Sequence, residues 1–177
     1  MDLFGPIAYI SIGSNKYGLV IVDDFSHFTW VFFLQDKSEA QGIVKKFIRR
    51  SQNEYELKIK NVRSDNGSEF RNTNIEEFLD EEGIKHEFSA LYTPKQNGIV
   101  ERKNRTLIEA ARTMLDEYKT PDIFWDEAIN TACHAINRLY IHKYLGKTPH
   151  EIITGNKSKV HYFRVFSCKY YILNKKS

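Results

Sequence analysis

Three carboxylates stand where regular elements are expected to begin or end, and that placement is the first sign of chemistry. Asp65 sits in Arg63-Ser64-Asp65-Asn66-Gly67, where an alternating stretch over 57–62 runs into an Asn-Gly turn. Glu101 falls in the first turn of a long periodic stretch, just after the turn-rich segment 91–98. Asp2 precedes two closely spaced apolar runs that read as a strand hairpin. Carboxylates from separate elements can converge at strand ends and bind Mg²⁺ or Mn²⁺, hard ions that prefer oxygen ligands. Two such ions activate a water or hydroxyl and stabilise the leaving oxygen of a phosphodiester. Plainer explanations exist for each residue. Glu101 gains roughly 0.3–1 kcal/mol near a helix N-terminus from the macrodipole alone, and Asp65 before Asn-Gly can be an ordinary turn residue.

The elements that must position these groups follow from periodicity. The runs at 16–25 and 28–34 are continuous, apolar and β-branched or aromatic, and Ser26-His27 is expected to connect them tightly. A helix over 38–55 takes Ser38 as its N-cap and Ile43, Val44, Phe47 and Ile48 as its inner face. After the strand at 57–62 comes a short helix over 74–82, with Ile75, Phe78 and Leu79 inward and Gly83 beyond its end. A short strand is expected at 85–90 and a loop at 91–98. The helix over 99–118 carries a stripe of Val100, Leu107, Ala111 and Met114. Pro121 breaks the chain. Asp122 is expected to cap the next helix, whose core face runs from Phe124 and Trp125 to Leu139. Thr148-Pro149 starts a helical turn, and 160–173 suggests one or two further strands. The alternation predicts an α/β fold, with a mixed sheet of about five strands flanked by helices.

The chain of 177 residues has room for one domain or one domain plus an extension. No apolar run approaches the length of a membrane span, and the N-terminus lacks the pattern of a signal peptide. Cys133 and Cys168 are far apart and outside any Cys-x-x-Cys pair, which argues against a disulfide framework and a zinc site. The net charge is +3. From Lys143 onward eight Lys or Arg face one acid, Glu151, so a basic tail follows a faintly acidic body. That asymmetry favours a polyanionic partner.

Several words of the sequence, in order, resemble one family. They include DLFGPI at 2–7, VDDFSHFTWVFFLQDKSEA at 22–40, RSDNGSEF at 63–70, YTPKQNGIVERKNRTLIEAARTML at 92–115 and FWDEAINTACHAINR at 124–138. KTPHEIITG at 147–155 and RVFSCKYYI at 164–172 extend the likeness over nearly the whole chain. The chain is similar to the integrase catalytic core of copia-type (Pseudoviridae) LTR retrotransposons, in the retroviral integrase superfamily. The 35 residues between Asp65 and Glu101 match that family's D,D(35)E spacing.

The resemblance implies a ribonuclease H-like fold, with a core over 1–145 and a basic C-terminal extension over 146–177. It implies that Asp2, Asp65 and Glu101 are the catalytic, metal-binding triad for two Mg²⁺ or Mn²⁺ ions. Asn66 and Gly67 would shape the turn presenting Asp65. Residues 92–98 would form a mobile loop, with Gln96 and Asn97 near the DNA end, and Arg102, Lys103 and Arg105 would contact phosphates. The implied activity is 3′-end processing of retrotransposon DNA and its transfer into target DNA. It would be carried out by a homodimer or higher oligomer, with the helix near 122–140 as a dimer surface. The nucleus is the implied site, with assembly in a cytoplasmic particle and no membrane partner. Two other readings stand beside this one: a ribonuclease H-like nuclease that only hydrolyses, and a non-catalytic DNA-binding or oligomerisation module of transposon origin.

The family pattern carries an acidic pair outside its triad, so Asp23 and Asp24 are expected to be structural. Trp30 and Trp125 are expected in the core, and Cys133 and His134 in packing roles. His86 could approach the site from its short strand and is not counted in it. The family's zinc-binding domain with paired His and Cys lies outside this sequence, and Asp2, one residue from the start, is expected at a frayed terminus.

Overall fold

The computed structural model describes residues 1–89, 94–169 and 171, with side chains of 94–97 excepted. Five strands and five helices alternate through the chain. The first three strands, β1 (Asp2–Phe4), β2 (Tyr17–Val22) and β3 (Thr29–Leu34), form an antiparallel sheet in the order β1-β2-β3. β4 (Asn61–Ser64) and β5 (Lys85–Phe88) pair in parallel. The expected mixed set of five strands is therefore present, but divided into groups of three and two. One backbone bond links the groups: the Met1 ammonium donates to the Arg63 carbonyl at 2.6 Å.

The hairpin forms because 17–22 and 29–34 are nearly all apolar and β-branched or aromatic, and the turn between them is fixed by a side chain. Asp23 Oδ2 accepts from both the backbone N–H and the hydroxyl of Ser26, and His27 takes a positive φ of 58°. The structural expectation for Asp23 holds. Gly18, opposite Phe4 in the β1–β2 register, is required by close approach: a Cβ there would lie 2.1 Å from the Phe4 ring. The Phe4 ring meets Trp125 edge-on at 6.4 Å.

Helices cover both faces of the first sheet. On one side α1 (Glu39–Tyr55) buries Ala40, Val44 and Ile48 against Leu19 and Leu34, with α2 (Thr73–Glu81) adding Ile75, Phe78 and Leu79. Each such aliphatic side chain contributes about 1.5–3 kcal/mol. Asn72 caps α2 by accepting from the Ile75 N–H, and Gly83 ends it at φ +68°. On the other side α3 (Pro94–Glu117) and α4 (Trp125–Leu139) pack Leu107, Ala111, Ala128, Ile129 and Ala132 around Val20. The last helix, α5 (Pro149–Thr154), starts with a reciprocal capping box between Thr148 and Glu151.

Several boundaries differ from expectation. Residues 57–60 alternate but form no strand, and β4 begins four residues later, at Asn61. Lys85 donates to the carbonyl of Lys60, so pairing with β5 overrides the local alternation. The long helix begins at Pro94, inside the stretch expected to be a loop, as proline at a first helical turn permits. Ser38 makes no side-chain cap on α1; instead Glu39 Oε1 accepts from the Gln35 and Asp36 N–H groups. Asp122 opens a 3₁₀ turn over Asp122–Phe124 rather than capping α4. Among the described residues beyond 155 there is no strand. That segment's aromatics stack on a helix instead, with Phe163 5.3 Å from His134 of α4.

Candidate active site

Asp2 lies in β1, paired with Val20 of the central strand, so its backbone position is set by the hairpin. The expected frayed terminus is absent. Met1 is 8% exposed and packs in the α1–α2 core, which ties down the residue beside Asp2. Met1 and Leu3 turn toward α1, and Asp2 turns to the opposite face, where α3 crosses.

Asp65 follows the last residue of β4, as the sequence predicted. The next residues fold back in a tight turn, in which Gly67 O accepts from the N–H groups of Phe70 and Arg71. The Gly67 N–H bonds toward the Asp65 carboxylate, and Asn66 Oδ1 accepts from Arg71 Nη1 at 3.4 Å. Asn66 and Gly67 thus shape the turn as expected. Phe70, fully buried, anchors it to the core.

Asp2 and Asp65 are electrostatic neighbours. Burial raises the Asp2 carboxyl above the usual carboxylate value, and the charge of Asp65 raises it further. The Asn104 amide and the N-terminal ammonium oppose that rise, while Glu101 adds a weaker push in the same direction. Burial raises Asp65 as well, opposed by the Gly67 N–H and reinforced by Glu69. Glu101 itself is exposed on α3, one turn before Asn104. Among the described residues no three of His, Cys, Asp and Glu gather closely enough to hold a metal ion between them. The structure therefore brings Asp2 and Asp65 together and leaves Glu101 at their margin.

Asn104 is the residue that sequence reasoning missed. Its Nδ2 donates to Asp2 Oδ2, and it is 6% exposed. A signal existed: Asn104 falls between Val100 and Leu107 on the buried stripe of α3, where an apolar residue is expected. A polar residue at such a position needs a partner, and the partner is Asp2. Glu69 was missed too, and no spacing marks it.

The donor set suits a hard divalent cation. Only oxygens face the junction from Asp2 and Asp65, and the Asp65 Oδ1 and Asn104 Oδ1 atoms are buried without hydrogen-bond partners. Two buried carboxylates that raise each other's pKa gain most from a positive ion between them.

The remaining expected contacts divide by exposure. Arg102 and Arg105 are exposed on α3, and no ion pair joins Arg105 to Glu101 among the described residues. Lys103 is half-buried, its ammonium pKa lowered by burial and felt by Cys133 of α4. It therefore does not share the open face of the two arginines. The side chains of Gln96 and Asn97, and most of the loop 92–98, lie outside the described residues. His86 bonds Ser64 Oγ at 2.9 Å rather than a site carboxylate. Asp24 faces Arg63 at 3.5 Å. Cys133 is a packing residue as expected: it donates to the Thr29 carbonyl, and burial pushes its thiol up to about 12.

Comparison with known proteins adds an independent line. A family model described as the integrase core domain matches residues 1–94. The retrovirus-related Pol polyprotein from transposon TNT 1-94 of Nicotiana tabacum is 37% identical over 168 residues, covering 95% of this chain and 13% of that polyprotein. The Pol polyprotein from transposon RE2 of Arabidopsis thaliana is 31% identical over 162 residues, covering 92% of this chain and 11% of its own length. The chain thus spans only a small part of these relatives. A solved structure of the HTLV-2 integrase catalytic core domain, in complex with magnesium and in a trimeric form, superposes with a TM-score of 0.60 at 23% identity. It covers 86% of this chain and 95% of that one. A chain of a simian T-cell lymphotropic virus intasome gives a TM-score of 0.66 at 20% identity, covering 98% of this chain and 60% of that one. At these identities the two structures establish a shared ribonuclease H-like fold.

Proposed function

The chain belongs to the integrase core domain family, in its copia-type retrotransposon branch, and from that premise we propose that it is a metal-dependent polynucleotidyl transferase acting on DNA ends. The observation that carries this reading is the pairing of Asp2 and Asp65 where the two sheets meet, under Asn104 of α3. Asp2 and Asp65 would hold one Mg²⁺ or Mn²⁺, and Glu101 would help to hold a second. Such ions supply a hydroxyl nucleophile at neutral pH and charge stabilisation for the leaving oxygen.

The reaction runs as two in-line displacements at phosphorus. In the first, water attacks near the 3′ end of the retrotransposon DNA, and the P–O3′ bond breaks to leave a free 3′-hydroxyl. In the second, that hydroxyl attacks a target phosphodiester, forming a new P–O bond and releasing the target's own 3′-hydroxyl. Asn104 holds the Asp2 carboxylate in one orientation, and the Gly67 N–H does the same for Asp65. Arg102 and Arg105 contact phosphates beside the site, with Gln96 and Asn97 near the DNA end and Lys103 contributing charge from behind them. The basic segment beyond 145 extends the contact to the polyanion. Joining two ends to one target calls for at least a dimer, and a chromosomal target places the step in the nucleus.

A labelled duplex incubated with this chain and Mg²⁺ or Mn²⁺ tests the reading. Joined products are expected, abolished by chelation and reduced by about 100-fold in Glu101→Gln, a few kcal/mol of transition-state stabilisation. Hydrolysis without joining would favour the nuclease. Salt-sensitive DNA binding with no metal-dependent product would favour the non-catalytic module.

Asn104→Ala is expected to act differently. It leaves every carboxylate in place and removes only the amide that orients Asp2. Outer partners of metal ligands are worth about 10–100-fold in metal affinity or activity. The metal concentration for half-maximal joining should therefore rise by about that factor. A metal dependence like that of the parent would remove Asn104 from the site.

A further inference from the structure

The two sheets separate at one end, and the gap has the shape of a missing strand. β1 pairs with β2 only from Asp2↔Val20 to Phe4↔Gly18, although β2 continues through Ile21 and Val22. On their other side Ile21 and Val22 pair with Trp30 and Thr29 of β3, so their free edge faces the gap. β4 has β5 on one side only, and its other edge also faces the gap. The Met1 nitrogen already makes the bond that a strand would make there, donating to the Arg63 carbonyl. Beyond Met1 lies a cavity of about 580 Å³, walled by Ile21 and Val22 on one side and Ile59, Asn61 and Val62 on the other.

The lining shows what fits. Along β1, odd-numbered side chains face α1 and even-numbered ones face α3 and α4. Continued backward, the residue next to Met1 would stand opposite Val22 and face Ile99 and Ile152, which line the cavity. The residue before it would face Phe47 and Tyr55 of α1, which line the other side. Both positions are apolar, and both neighbouring backbones present ladder groups to be satisfied.

The geometry points to an extended, apolar peptide strand as the occupant, entering between β2 and β4 and running directly into Met1. In the tobacco relative the matched stretch is 13% of a polyprotein, so such a core is embedded in further polypeptide. Once filled, the five strands form one sheet in the order β3-β2-β1-β4-β5, and Asp2 lies inside a strand instead of at its second residue. This is strand addition in cis, and main-chain bonds with alternate side-chain pockets give it affinity and register. The inference rests on strand geometry and stands independently of the catalytic reading.

The test compares the chain with two versions carrying four residues before Met1, either Thr-Val-Ile-Val or Gly-Ser-Gly-Ser. The apolar extension should raise Tm by about 5 °C over the Gly-Ser control. It should also slow amide exchange at the gap-facing positions of 21–22 and 61–63 at least about tenfold, while the protein's state of association is unchanged. Equal Tm and equal exchange in the two versions would overturn the inference. So would a gain that grows with protein concentration and accompanies dimer formation, since the occupant would then be a second copy's strand. Neither readout involves DNA or metal, so failure of the catalytic proposal cannot be mistaken for failure of this one.

Discussion

Asp65→Asn should lose DNA joining by on the order of a thousand-fold while making the metal-free protein more stable. The loss follows from the charge. A carboxylate that holds a divalent ion contributes several kcal/mol to the transition state, and about 1.4 kcal/mol is a factor of ten. The gain follows from burial. Asp65 Oδ1 is buried without a partner, and burial is the largest cause of the raised Asp65 pKa. Because the folded state holds the proton more tightly than the unfolded chain, stability falls as pH rises from the ordinary carboxylate value through the raised one. The deficit persists at neutral pH. Removing the charge removes it, for a gain of roughly 2–4 °C in Tm, corresponding to about 1 kcal/mol after allowance for solvent. Below the ordinary carboxylate pKa the parent and variant should converge. Added Mg²⁺ should stabilise the parent and leave Asp65→Asn unmoved, because only a binding-competent native state gains from the ligand. Thermal melts at pH 3 and pH 7, each with and without Mg²⁺, check all four expectations. Destabilisation at pH 7 would mean that Asp65 is a structural turn residue.

This coupling of site and fold explains how much could be read from the residues alone. Asp65 was legible because Asn66-Gly67 marks a turn whatever surrounds it, and the structure uses that turn. The inner faces of α1 and α2 were legible because helical periodicity and burial coincide there. The start of β4 was not. Residues 57–60 alternate as well as any strand, and only the distant partner β5 decides which residues pair. The same limit applies to the tail, where aromatic, β-branched residues cover His134 of α4 instead of forming strands. The tie at Met1 was hidden for a further reason. Position in sequence suggests fraying, whereas the side chain's place in the core decides the matter. Asn104 could have been found, since it breaks an apolar stripe, but its partner lies 102 residues away.

Asn137→Leu should be the most destabilising single change at constant volume, costing about 3 kcal/mol, or roughly 6–12 °C in Tm. Thr29 opens β3 opposite Val22, and its backbone is buried under α4. Asn137 Oδ1 accepts from the Thr29 N–H at 2.9 Å, and its Nδ2 donates to the Thr29 carbonyl at 2.7 Å. One amide side chain thereby satisfies both backbone groups of a strand residue, as a neighbouring strand would. Leucine nearly conserves the volume, so the loss isolates the hydrogen bonds from any cavity. The Thr29 N–H is left buried with no acceptor, the costly half of the exchange. The carbonyl keeps the weaker Cys133 Sγ donor at 3.2 Å, so Cys133→Ala should cost about 1 kcal/mol. Denaturant melts of the two single variants and the double then give their coupling, which should be non-zero because both act on one carbonyl. A neutral Asn137→Leu would mean that packing alone holds α4 to the hairpin. A large loss would tie α4 to the register of β3, hence to β2, and through Val20 to the placement of Asp2.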